Sequence, residues 1–221
     1  MVVLDVNDFS VLCAQSYPNY DLDKYMNDPQ YREDLLLNKD GQNAMWNRCF
    51  WQGYPIGSAM KPAVALAALQ EGVIDTSTQF RCGYTYYNAD MPDFHPLCMG
   101  THGYLNVIEA LTVSCNIFFY DTGYNLGIDN MNLYQRKLGL GELTGVEIYE
   151  SDGTLAGPDE KEDWYGGDTI MAAIGQSDNL ITPVQLATYA ATIANNGTRL
   201  RTHVVDKITD YSRQTVLEET K

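Results

Sequence analysis

Ser58-Ala59-Met60-Lys61 sets a hydroxyl and an amine three residues apart. On a helix that spacing brings both side chains to one face, about 5–6 Å apart at Cβ, a geometry that can make a serine reactive. Pro62 follows at once. A proline is tolerated only near a helix start, where the missing backbone donor would have had no partner, so it fixes Ser58 at or next to the helix N-terminus. The helix dipole and desolvation both lower a lysine pKa and favour a neutral amine able to take the serine proton. The same amides suit an oxyanion. By itself an S-x-x-K motif arises by chance about once in a chain of this size. Its weight comes from its surroundings: Tyr54-Pro55-Ile56-Gly57 forms a turn into the helix, and an alanine-rich run follows from Ala63. Ser114-Cys115-Asn116 lies between two helical stretches. It is either a polar turn of a buried site or a helix break in which Ser and Asn cap neighbouring ends.

The elements around these residues follow from the pattern. Val2-Val3-Leu4-Asp5-Val6, a polar Asn7-Asp8, and Ser10-Val11-Leu12-Cys13-Ala14 predict an N-terminal hairpin within residues 1–16. Residues 17–54 are polar and aromatic, broken by Pro18, Pro29, Gly41 and Gly53, and read as an irregular connection. A helical region covers 55–197, and its first helix runs from Ser58 through Val64, Leu66 and Leu69 to about Gly72. Residues 75–104 are loop-like. Helical periodicity returns at 106–112 and 117–126, and again from Asp129, read as an N-cap, to Gly139. After a Gly- and acid-rich connection at 139–169, Thr182-Pro183-Val184-Gln185 opens the last helix with a capping box, and Asn195-Asn196-Gly197 stops it. A strand is expected at 203–208, inside a C-terminal strand region of 198–221. Strands at both ends of a helical middle give an α+β fold, read as one domain over 1–221.

Composition narrows the function. With 45% hydrophobic and 19% charged residues the chain is globular, neither disordered nor fibrous. Its 29 acids against 14 bases, a formal net charge of −15, repel phosphate backbones, so no nucleic-acid partner is expected. The apolar run 63–69 is far short of the roughly 18 residues that a bilayer requires, and Met1-Val2-Val3-Leu4-Asp5 lacks the basic start of a signal peptide. Cys13, Cys49, Cys82, Cys98 and Cys115 contain no C-x-x-C pair, and His95, His102 and His203 show no ligand spacing, so neither a metal nor another cofactor is expected. The thiols read first as small buried hydrophobes. Cys82 and Cys98 bracket a loop that a disulfide would staple if the protein works outside the cytosol. Trp46, Trp51, Tyr54, Tyr84, Tyr86 and Tyr87 either line a groove or pack their own loops, the commoner arrangement. Asp159-Glu160-Lys161-Glu162-Asp163 reads as a solvated face.

Taken in order, Tyr-Pro-Ile-Gly-Ser58-Ala-Met-Lys61-Pro, Thr-Val-Ser114-Cys-Asn116-Ile-Phe-Phe-Tyr, Ile-Gly175-Gln176 and Thr182-Pro-Val-Gln-Leu-Ala resemble the blocks of penicillin-binding protein transpeptidase domains. The opening Val-Val-Leu-Asp-Val with Ser16-Tyr17-Pro18 resembles the family's first strands, and Gly167-Asp168-Thr169 looks closest to its class B enzymes. The resemblance implies the penicillin-binding protein and serine β-lactamase fold. It implies a peptidoglycan D,D-transpeptidase, in which Ser58 is acylated by a stem peptide ending in D-Ala-D-Ala and Lys61 is the base. Ser114 would then relay a proton to the leaving nitrogen, Asn116 would orient Lys61 and bind the substrate amide, and Gly175 and Gln176 would contact substrate. The same likeness implies β-lactams as covalent inhibitors, partners in a cell-wall synthesis complex, and a place at the extracytoplasmic face of the bacterial membrane.

One family motif is missing: no Lys-Thr-Gly or Lys-Ser-Gly occurs. The family places that motif beyond the helix at Thr182, so a C-terminally truncated domain with an incomplete sheet is expected, one that is poorly stable alone or pairs with another copy. Two other readings stand beside the transpeptidase: a β-lactamase or β-lactam sensor of the same superfamily, and a non-catalytic scaffold binding peptidoglycan or divisome partners.

Overall fold

In the computed structural model, which describes residues 1–220, the chain forms two compact units. The first comprises Met1–Gly53, Glu142–Asp152 and the chain from Thr182 onward, and the second Tyr54–Gly141 and Gly153–Ile181. Lys221, the last position of the expected C-terminal strand region, lies outside the described residues.

The first unit opens with the expected hairpin, β1 (Val2–Leu4) against β2 (Val11–Ala14), antiparallel with Val2 opposite Ala14. The stretch 17–54, expected to be irregular, holds two short helices, α1 (Leu22–Asn27) and α2 (Pro29–Leu36). Asp21 caps the first, accepting from the Lys24 amide, and Asp28 caps the second with Pro29 in its first turn. Neither helix buries a residue, so the apolar period that signals a packed helix is absent from both. The last helix, α8 (Pro183–Ala194), packs on β1 and starts at Thr182 with the expected capping box. Cys49, Phe50, Val146 and Val184 form the core beside it. Gln185, inside that box, also donates through Nε2 to the carbonyls of Glu142 (2.7 Å) and Asp152 (2.6 Å). The strand expected at 203–208 is shorter and later: β5 (Lys207–Thr209) pairs with β6 (Val216–Glu219), while His203 makes a single bridge to Ser10.

The second unit is a helical body. A 3-10 turn, Gly57–Met60, runs into α3 (Lys61–Gln70) with Pro62 in its first turn, so Ser58 precedes the α-helix and Lys61 begins it. The small buried residues Ala63, Ala67 and Ala68 let α3 pack closely on α5 (Asn116–Leu126) and α6 (Ile128–Lys137). Gly127, not Asp129, caps α6, and Asp129 falls in its first turn. The stretch read as loop up to 169 already contains the start of α7 (Gly166–Ala172), which packs on α5. A side chain at Gly123 of α5 would collide with Ala173, at the end of α7. The ribbon of β3 (Phe80–Cys82) and β4 (Gly103–Leu105) leads into α4 (Val107–Thr112). Among the described residues the sheets are all two-stranded, which agrees with the expected α+β class and its helical middle.

Candidate active site

Gly57 and Gly175 set the approach to Ser58. Gly57 has φ +54° and donates its amide to the Gly175 carbonyl at 3.0 Å. Gly175 has φ +72°, and a Cβ there would run into the backbone of Gly57. Only glycine permits this contact, which holds the turn bearing Ser58.

The buried Lys61 Nζ (1% exposed residue) meets three acceptors on the Ser114–Asn116 turn: Ser114 O (2.7 Å), Ser114 Oγ (2.9 Å) and Asn116 Oδ1 (2.7 Å). Ser114 has φ +53°, a left-handed turn between α4 and α5 that presents its carbonyl and hydroxyl to one amine. Its hydroxyl is also 3.0 Å from Ser58 Oγ. A continuous path, Ser58 Oγ to Ser114 Oγ to Lys61 Nζ, thus replaces the direct serine–lysine pairing expected from spacing. Asn116 Nδ2 donates to Leu97 O at 3.3 Å, which turns its carbonyl oxygen toward Lys61. Burial strips water from the ammonium and lowers the Lys61 pKa to about 8, although the nearby thiols of Cys98 and Cys115 pull the other way.

Ser58, Ser114 and Asn116 open on a cavity of about 610 Å³ walled by Leu97, Met99, Tyr120, Met171, Ile174 and Gln176. The structure therefore brings together Ser58, Lys61, Ser114, Asn116 and Gln176. It places Gly175 behind the serine turn and not on the cavity wall. Met171 also borders a second cavity of about 460 Å³ with Phe94, Lys161, Tyr165 and Asp168. Asp168 serves α7 there, accepting from the Tyr165 amide (3.0 Å) and from Lys161 Nζ (2.6 Å). None of the six loop aromatics lines the cavity at Ser58. Tyr86 is buried with its ring 5.3 Å from that of Tyr120, and Trp46 and Trp51 stack edge-on at 5.3 Å within the first unit.

One sequence expectation is corrected on the far side of the Ser114–Asn116 turn, and a second meets a new observation there. Cys82 and Cys98 form no disulfide, since both thiols are free. The expectation of no metal is met by a cluster that could hold one: a ligand atom from each of Cys82, Cys98, His102 and Cys115 lies within 4.8 Å of all the others. The spacing concealed it because the four residues come from β3, the loop before β4 and the start of α5. The one short-range signal was Cys98-Met99-Gly100-Thr101-His102, a thiol and an imidazole four apart across a glycine. Burial opposes ionisation of the Cys98 thiol, yet hydrogen bonds from the backbone of Gly100, Ile117 and Asn116 bring it down to about 6.

An α+β body with Ser-x-x-Lys at a helix start and Ser-x-Asn on the facing turn falls in the active-serine superfamily of penicillin-binding proteins and serine β-lactamases. Within it, the family model of the penicillin-binding protein transpeptidase domain matches residues 1–221, and the chain belongs to that family. It is 31% identical over 212 residues to the peptidoglycan D,D-transpeptidase MrdA of Acinetobacter baumannii, covering 93% of this chain and 32% of that protein. The chain thus spans about a third of the length of this curated relative. The crystal structure of Pseudomonas aeruginosa PBP2 in complex with WCK 5153 superimposes with a TM-score of 0.85 at 27% identity, over 100% of this chain and 52% of that one. Helicobacter pylori PBP2, in its complex with MreC, gives 0.82 at 28% identity, over 91% of this chain and 38% of that one. Among the described residues no helix is long and apolar enough to cross a membrane.

Proposed function

We propose that residues 1–221 are part of the transpeptidase domain of a peptidoglycan D,D-transpeptidase that cross-links stem peptides through an acyl-serine intermediate. The observation that carries this reading is the path from Ser58 through the Ser114 hydroxyl to a buried lysine with a lowered pKa. Ser58 Oγ attacks the carbonyl of the penultimate D-Ala, and its proton passes through Ser114 to neutral Lys61. Ser114 then returns a proton to the departing nitrogen, and the terminal D-Ala leaves. An amine of a second stem attacks the ester by the reverse route, freeing Ser58 and forming the cross-link. Asn116 holds Lys61 and offers its amide to the substrate, and Gln176 contacts the peptide from the cavity wall, while Gly175 positions the serine turn. β-Lactams acylate the same serine. The place of action is the extracytoplasmic face of the bacterial membrane, within a wall-synthesis complex, a reading supported by the complex that Helicobacter pylori PBP2 forms with MreC.

The test is incubation with a stem pentapeptide ending in D-Ala-D-Ala and an added acceptor amine. Release of D-Ala together with the amine-transfer product, both lost in Ser58→Ala, is expected. Rapid turnover of nitrocefin without transfer would assign a hydrolase instead, and folded protein that releases no D-Ala would leave a scaffold.

A further inference from the structure

The carbonyl of Leu97 accepts from two side chains of α5: Asn116 Nδ2 at 3.3 Å and the Tyr120 hydroxyl at 3.4 Å. Asn116 and Tyr120 are four residues apart and share one helix face, and both line the cavity at Ser58 together with Leu97. The two bonds use both lone pairs of the carbonyl. They also lie near the limit of a hydrogen bond, so a displacement of a few tenths of an ångström ends them. Whatever holds Leu97 in place therefore decides where the Asn116 side chain points, and Asn116 Oδ1 is one of the three acceptors around Lys61.

Leu97 belongs to a short antiparallel ribbon. The Cys98 amide donates to Tyr84 O (2.8 Å), the Tyr86 amide donates to Pro96 O (3.0 Å), and Thr85 stands opposite Leu97. These backbone bonds tie the two sides of the ribbon to each other. The opposite side is tied to α5 by Tyr86, whose hydroxyl donates to Asp121 Oδ1 at 3.0 Å and whose ring packs on Tyr120. Asn88 Nδ2 donates to the same hydroxyl oxygen at 3.2 Å, which leaves the phenol proton for Asp121. Tyr86 is buried, and burial holds its phenol protonated, well above its ordinary pKa. Burial also raises the pKa of Asp121, and the hydrogen bond from Tyr86 opposes that rise. Either group left unpaired would carry the full penalty of its lost water. Neither lines the cavity at Ser58, so neither touches the reacting atoms.

We propose that Tyr86, anchored by Asp121, is a positioning residue for Asn116 and Lys61 that acts through the Leu97 carbonyl. Its role in the reaction rests on the acyl-serine reading, in which Lys61 takes the Ser58 proton. Without the Tyr86 hydroxyl the ribbon loosens from α5, Leu97 O withdraws from Asn116 Nδ2, and the Asn116 oxygen turns away from Lys61.

Tyr86→Phe keeps the ring against Tyr120 and removes only the hydroxyl. Acylation of Ser58 by a fluorescent penicillin should slow roughly 10- to 100-fold in this variant. Asp121→Leu, which lacks the acceptor, should slow it as much, and the double variant should be no slower than either. Asp121→Asn, which keeps an acceptor oxygen, should retain most of the rate. A second readout needs no acyl transfer. The NMR titration of the Lys61 side chain, centred near pH 8 in the wild type, should move down in Tyr86→Phe because the ammonium loses the Asn116 oxygen. A loss of stability alone would leave that midpoint where it is. An unmoved midpoint in folded Tyr86→Phe, wild-type acylation by that variant, or Asp121→Asn as slow as Asp121→Leu would overturn the positioning role. A moved midpoint in a protein whose wild type is never acylated would support the positioning and refute the acyl-serine reading.

Discussion

The two units bury polar side chains in different ways. In the first, those groups close on backbone and on one another: Thr188 Oγ1 donates to Val184 O (2.9 Å) and lies 2.7 Å from Thr202 Oγ1, Thr192 Oγ1 donates to Thr188 O (2.8 Å), Gln185 Nε2 to two carbonyls, and Thr144 Oγ1 to the Glu150 carboxylate (2.8 Å). In the second, Lys61 closes on side chains 53 and 55 residues away, and one of these, a hydroxyl, bonds onward to the hydroxyl of Ser58. A carbonyl acceptor fixes a helix and cannot pass a proton on. A hydroxyl shared with a buried amine can do both, so the proposed chemistry falls to the second unit.

The sharpest break of this contrast is Lys61→Arg, which keeps the charge but supplies a group that does not deprotonate. Acylation by a fluorescent penicillin, followed in stopped flow, should fall roughly 10²- to 10⁴-fold. The wild-type rate should rise as pH climbs through about 8 and level off above it, because only neutral Lys61 accepts the proton. Stability follows the same sign. Between about pH 8 and the ordinary 10.5 the folded state holds fewer protons on Lys61 than the unfolded chain does, so its contribution improves as pH rises through that window. Urea midpoints at pH 8 and 10 would show that component, with Lys61→Arg lacking it.

Gly175→Ala acts on geometry in the second unit. The added Cβ meets Gly57 and the residue must keep φ +72°, so a loss of about 2–4 kcal/mol is expected in urea unfolding, with slower acylation in the protein that remains folded. Thr182→Ala removes a cap in the first unit and should cost about 1 kcal/mol. Acylation per folded molecule should stay unchanged, and a tenfold fall would mean that the contrast between the units is wrong.

Much of this was legible in the residues. Ser58, Lys61 and Pro62 mark the serine turn, because proline dictates where a helix can start. Thr182 and Gln185 mark α8, because a capping box is a local device. Asp21 and Asp28-Pro29 signalled α1 and α2 equally well, but those helices bury nothing and show no apolar stripe. Gly166-Gly167 hid the start of α7 because adjacent glycines read as loop. The Ser114 bridge and the thiol cluster were illegible for a common reason: both are made by tertiary folding across tens of residues and leave no periodic trace.

The central claim is that Ser58 is the nucleophile, made reactive through Ser114 and Lys61. Intact mass after incubation with benzylpenicillin, followed by peptide mapping and set beside Ser58→Ala, tests it most directly. The account predicts one penicilloyl adduct per chain, carried on Ser58 and absent from the variant. A folded wild-type chain that gains no adduct, or an adduct that survives Ser58→Ala, would contradict it.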